Sequence, residues 1–130
     1  MSQFGSQKHS RSNTKKIGNG KEVRKFRDKR RSEMGNYFAA TRLSGESASA
    51  SVRRRGGNLG MRLKRVAFAN VLTKEGYKKA KITEVIESKD NKNFARQNII
   101  TKGTLINTEL GKAVVLNRPG REGAVNARLV

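Results

Sequence analysis

From Met61 to Val130 the chain runs in short stretches whose apolar and polar residues alternate, and most stretches end at a glycine or at a cluster of Asn, Asp and Lys. A period of two is the signature of a half-buried strand, and short strands separated by turns every eight to twelve residues point to an all-β barrel or sandwich. Closure into a barrel removes the exposed edges, so a barrel is the expected architecture. Met61 and Leu63 alternate with Arg62 and Lys64 until the phase slips near Arg65-Val66, where a bulge or bend is expected, with Leu63 facing the core. Thr73-Lys74-Glu75-Gly76 is a tight connection into Tyr77 to Glu87, where Ala80, Ile82 and the Val85-Ile86 pair are the apolar positions. The two runs pair as a hairpin. Asn91 or Asn93 caps a single helical turn near Phe94. Asn98 to Gly103 opens another strand, Thr104 to Leu116 divides into two at Leu110-Gly111, Arg118 to Gly123 forms a turn, and Ala124 to Val130 supplies the last strand with Val125, Ala127 and Leu129 on one side.

Before Met61 the pattern fades. Tyr37 to Leu43 reads as a first strand that buries Phe38 and Leu43, and Ser44 to Ser51 has too little apolar bulk to define a face, so it reads as a loop leading into a strand near Val52. From Ser2 to Gly20 only Phe4 and Ile17 are large and apolar, too little to offset the entropy of ordering that segment. The chain therefore divides into a basic extension, residues 1–36, and a β-barrel domain, residues 37–130. Charge follows the same gradient. Residues 1–65 hold 18 Lys and Arg against 4 acids, and residues 66–130 hold 12 against 6, for a net charge of +20. Such a chain repels itself unless a polyanion screens it.

Catalytic chemistry finds no footing in these residues. Cysteine is absent and the one histidine, His9, lies in the polar extension, so neither a thiol nucleophile nor a His/Cys metal site is expected. There is no Gly-rich loop followed by Lys-Ser or Lys-Thr to hold a nucleotide, and Glu84 and Glu87 are surface acids among lysines. The expectation is a non-enzyme with no cofactor, metal or small-molecule substrate. No window approaches the apolar length of a membrane span and the N-terminus lacks the apolar run of a secretory signal, so a soluble intracellular protein without a membrane partner is expected.

What the cations can do is neutralise phosphates. Arg53-Arg54-Arg55-Gly56-Gly57-Asn58 places three guanidinium groups before two residues that have no side chain to obstruct a close approach. The same six residues also suit an exposed hairpin tip whose glycines supply positive φ, and the two readings are compatible. The candidate RNA-binding residues are Arg11, Lys15, Lys16, Arg24, Lys25, Arg27, Lys29, Arg30 and Arg31 in the extension; Arg42; Arg53, Arg54, Arg55, Gly56, Gly57 and Asn58 at the tip; Arg62, Lys64 and Arg65 on the following strand; and Lys102. Arg118, Arg121 and Arg128 are peripheral candidates. Phe94 beside Arg96 and Tyr77 among lysines are candidates for base stacking, against which core packing carries more weight for phenylalanine. Phosphate contacts of this kind give salt-sensitive affinity and little base discrimination.

Several ordered motifs then coincide. Asn98-Ile99-Ile100-Thr101-Lys102-Gly103, Thr108-Glu109-Leu110-Gly111-Lys112-Ala113 and Arg118-Pro119-Gly120 with Gly123 and Val125-Asn126-Ala127 resemble the archaeal and eukaryotic small-subunit ribosomal protein family S-eight-e, as do Arg55-Gly56-Gly57-Asn58 and Ala69-Asn70-Val71. The resemblance runs almost end to end, and the compact length is like that of archaeal members. It implies a six-stranded β-barrel carrying a basic N-terminal extension ordered by RNA, bound to small-subunit ribosomal RNA beside neighbouring ribosomal proteins in the cytoplasm. An assembly or biogenesis factor that binds ribosomal precursor RNA is the alternative reading, and a nucleic-acid enzyme would need a cluster of acidic metal ligands that the sequence does not offer.

Overall fold

The computed structural model describes residues 36–130, and the nine expected RNA contacts between Arg11 and Arg31 lie outside them. In chain order the elements are β1 (Arg42–Leu43), β2 (Ala48–Arg53), β3 (Leu59–Val66), β4 (Phe68–Thr73), β5 (Gly76–Glu87), α1 (Lys92–Arg96), β6 (Leu105–Thr108), β7 (Gly111–Val115), α2 (Pro119–Glu122) and β8 (Asn126–Leu129). They form a three-stranded sheet in the order β1-β3-β2 and a closed barrel in the order β4-β5-β6-β7-β8. All of them fall within one compact unit, Ala39–Val130.

The ring has five strands where six are expected. Two features account for the count. β8 runs parallel to β4, with Asn70 opposite Asn126 and Leu72 opposite Arg128, and this pairing closes the ring directly. Asn98–Gly103, the expected further strand, stays outside the barrel because Asn98 (φ 52°) and Gly103 (φ 81°) are left-handed and interrupt an extended run. Only Ile99 bridges, to Arg42. The segment serves instead as a buried plug: Ile99 and Ile100 are inaccessible, the Ile100 amide donates to the Thr41 carbonyl (2.8 Å), and the Leu43 amide donates to the Asn98 carbonyl (2.9 Å).

β5 makes the small ring possible. Its first half pairs with β4, its second half pairs with β6, and register shifts at Ile82/Glu84 and Val85/Glu87 bend it between the two partners. Bulges of this kind add the twist and coil that closure needs. A five-stranded ring has a narrow interior, and the inward positions accordingly alternate small and branched side chains: Ala69, Val71, Ala80, Ile82, Ile106, Ala113, Val115 and Ala127 are all buried. Full burial of a Val or Ile side chain contributes roughly 1.5–3 kcal/mol, so this file of residues holds the fold.

Several expectations hold and others do not. The slip near Arg65-Val66 is a bend at Ala67 between β3 and β4, the Thr73–Gly76 hairpin forms, and Asn91 caps α1 by accepting from the Asn93 amide at 2.9 Å. The first strand shrinks to two residues. Phe38 is 40% exposed, and Thr41 takes the buried place because its hydroxyl donates to the Leu63 carbonyl at 2.7 Å. β2 begins at Ala48, earlier than expected, since backbone pairing to β3 needs no bulky side chains. Arg118 to Gly123 is a helical turn. Pro119 starts α2, Gly123 (φ 78°) ends it in the left-handed conformation, and a Cβ at Gly120 would stand 2.7 Å from that of Ala39, so the helix packs too closely for any side chain there.

Candidate nucleic-acid interface

β2 and β3 pair antiparallel from Arg53↔Leu59 to Ala48↔Arg65, and a single 3-10 turn, Arg55–Gly57, connects them. Gly56 and Gly57 have φ of 78° and 79°, which a side chain would oppose; the Arg54 amide donates to the Asn58 carbonyl at 2.7 Å and the Gly57 amide to the Arg54 carbonyl at 3.2 Å. Arg53 to Asn58 is thus a rigid, exposed hairpin tip. Its arginines diverge. Strand alternation puts Arg53 with Leu59 and Met61 on one face, while the Arg54 guanidinium lies directly over the Cα of Gly60, which is buried beneath it. A Cβ at Gly60 would collide with that guanidinium. Arg62 follows on the Gly60 face, opposite Ala50, so Arg54 and Arg62 look out over small residues.

Beyond them the register shift between Ala48 and Ser49 leaves Lys64 without a partner on β2. Lys64 and Arg65 are both exposed. Arg65 also lies beside Arg42 of β1 in a parallel pairing, so two guanidinium-bearing residues stand on adjacent strands. Arg42, the tip, Arg62, Lys64 and Arg65 therefore belong to one three-stranded sheet. Lys102 stands apart from them, on the turn after Ile100. Its charge acts on Glu122, whose carboxylate accepts from the Asn117 amide (2.9 Å) and from the Arg118 backbone N–H (3.3 Å). Those hydrogen bonds first, and the Lys102 and Arg118 charges after them, hold the Glu122 carboxyl below its ordinary range.

The outer wall of the barrel brings Tyr77 and Arg128, a stacking and a peripheral candidate, together with residues absent from the expected set. Alternation turns Phe68 and Asn70 of β4, Tyr77, Lys79 and Lys81 of β5, and Asn126 and Arg128 of β8 away from the core. The Lys79 ammonium stands 4.7 Å from the centre of the Phe68 ring. The signal for this wall lay in the same period of two that marks Ala69, Ala80 and Ile82 as buried. Phe94, the other stacking candidate, is half-buried in α1. Among the described residues no three His, Asp or Glu side chains gather where a metal could be held, and no helix is long and apolar enough to cross a membrane.

Comparison with known proteins finds the family model described as ribosomal protein S8e matching residues 8–130. The chain is 47% identical over 118 residues to the small ribosomal subunit protein eS8 of Hyperthermus butylicus, covering 89% of this chain and 87% of that one. It is likewise 47% identical over 118 residues to eS8 of Sulfurisphaera tokodaii, covering 89% and 91%. The eS8 protein of Methanococcus maripaludis is 39% identical over 119 residues, covering 90% and 93%.

Proposed function

Since the chain belongs to the ribosomal protein S8e family, we propose that it is a structural constituent of the small ribosomal subunit that binds the subunit's RNA through its basic extension and the β2–β3 hairpin. A protein of this family is a ribosomal component and not an enzyme, and its place is the cytoplasmic ribosome. The observation that carries the RNA reading is the hairpin: a tip with two positive-φ glycines, Arg54 laid over Gly60, and Arg62, Lys64 and Arg65 following along β3. Phosphate oxygens suit guanidinium forks, and glycine lets an RNA backbone come close. Residues 1–36, with 11 Lys and Arg against 3 acids, supply cations that neutralise phosphates, while residues 37–130 form the docked domain. Selectivity then comes from RNA shape, with neighbouring ribosomal proteins flanking the site.

The test replaces Arg53, Arg54 and Arg55 together by alanine. Binding to small-subunit ribosomal RNA is expected to weaken and the slope of log affinity against log salt to become shallower by about one per lost phosphate contact, with the circular dichroism spectrum unchanged. An unaltered slope removes the tip from the interface, and a protein that does not sediment with the small subunit at low salt removes the ribosomal role.

A further inference from the structure

The barrel wall formed by β8, β4 and β5 is covered by nothing in the described residues, and its composition differs from that of the hairpin. Phe68 is 43% exposed and Tyr77 is 67% exposed, a poor use of two of the chain's seven aromatic residues if packing were their purpose. Phe68 stands opposite Lys81 and Asn70 opposite Lys79 across β4–β5, while Leu72 has Tyr77 on one side and Arg128 on the other. Asn70 and Asn126 join their side-chain amides at 3.1 Å between the two rings. None of these outward positions is acidic, and no carboxylate pairs with Lys79, Lys81 or Arg128 among the described residues.

We propose that this wall is a second RNA surface, one that takes unpaired nucleotides by stacking their bases on Phe68 and Tyr77 and neutralising their phosphates with Lys79, Lys81 and Arg128. The inference rests on the ribosomal RNA-binding reading above and adds to it a single-strand preference carried by the two exposed rings of the wall. Four residues of strand separate the levels of the two rings, about 13 Å at roughly 3.3 Å per residue, a span of two or three nucleotides. Base–aromatic stacking tolerates any sequence because every base has a π-face. The Lys79 ammonium now occupies the Phe68 ring at 4.7 Å, but a cation–π contact at an exposed site is weak, so an incoming base displaces the ammonium from the ring onto the nucleotide's own phosphate. Charge selects the occupant. The named outward positions carry three cations and no acid, a composition that fits a polyanion better than a protein face of ordinary charge balance.

The test compares the full-length protein with the Phe68→Leu/Tyr77→Leu double variant, which keeps apolar bulk and removes the rings. The probes are a single-stranded 12-nucleotide polyuridine or polyadenosine RNA and a duplex RNA of the same length. The expected result is a loss of about tenfold or more in affinity for the single strands, with an unchanged salt slope because stacking releases no counterions, and little change for the duplex. The variant Lys79→Gln/Lys81→Gln/Arg128→Gln is expected also to weaken single-strand binding and, unlike the ring variant, to flatten the slope. Should the double variant unfold, Tyr77→Leu alone, at the more exposed ring, is expected to lose affinity for the single strands by several-fold. Single-strand affinity equal to wild type in the ring variants overturns the proposal; if the arginine-tip variant still loses affinity, the ribosomal reading stands and the wall faces a protein. Wild-type protein that binds neither RNA overturns both.

Discussion

The barrel and the three-stranded sheet are built on the same strand geometry and spend it differently. In the barrel every strand turns small or branched apolar residues inward, and Val71, Ile106, Ala113 and Ala127 are wholly inaccessible. In the sheet β1-β3-β2, Leu63 and Val66 join the core while β2 offers chiefly serine and alanine, and Leu59 is 72% exposed. A ring needs side chains to fill it, whereas the hairpin proposed to bind RNA presents cations on an exposed turn. Stability therefore resides mainly in β4 to β8, and under the proposed function β1 to β3 contribute chiefly to recognition, so the two are expected to be separately alterable.

The strongest challenge to that separation is a core truncation. Ile106→Ala, at a position with no solvent exposure, is expected to destabilise the protein by about 2–5 kcal/mol in denaturant titration, whereas Leu59→Ala at the exposed start of β3 is expected to stay within about 0.5 kcal/mol. Equal losses at the two sites would mean that the sheet shares the load.

A sharper probe is Gly60→Ala, which sets a methyl group where the Arg54 guanidinium now lies. The colliding group is the far end of a flexible side chain, and alanine in a strand interior is favoured over glycine by about 0.5 kcal/mol or more. Thermal stability should hold or rise while RNA affinity falls by about threefold to tenfold, the loss of roughly one charge-assisted contact. Unchanged affinity would show that Arg54 binds equally well from any position.

The smallest effect is expected at Glu122. Its folded pKa is lowered below the unfolded one, chiefly by the Asn117 hydrogen bond, so the stabilisation is present above the unfolded pKa and disappears as pH falls through the folded value. In thermal unfolding, wild type should melt slightly above Glu122→Gln at neutral pH, and the two curves should converge in acid. Divergence in acid would reverse the sign of the effect.

How much of this was legible in the sequence depended on side-chain size and on distance along the chain. The inward faces of β5 and β8 were plain because Ala80 and Ile82, and Val125 and Ala127, alternate with charged or amide residues. β2 was not, since Ala48-Ser49-Ala50-Ser51 presents two faces of nearly equal polarity and volume. Asn98–Gly103 misled for the opposite reason. Its two isoleucines do carry core burial, but left-handed Asn98 converts the run from strand to plug, and positive φ at an asparagine is not announced by its neighbours. In Arg118–Gly123 the same residues suit a turn and a short helix, since proline at the first position and glycine just past the last also mark the two ends of a helix. The candidate surface was half legible. Clustered arginines mark the tip, but their divergence around Gly60 depends on strand register; Tyr77 stands out among lysines, whereas its place beside Phe68 and Arg128 on one wall follows only from the pairing of β4 with β5 and β8.

The pairing of β8 with β4 also sets an order of events. Asn70 meets Asn126 across 56 residues of chain, so the ring stays open, with β4 and β7 each presenting an unprotected edge, until the last strand has been made and has found its place. Contacts so distant in sequence form slowly. As a nascent chain emerges, its basic extension and hairpin arginines therefore become accessible to RNA while the barrel that is to carry them is still unclosed.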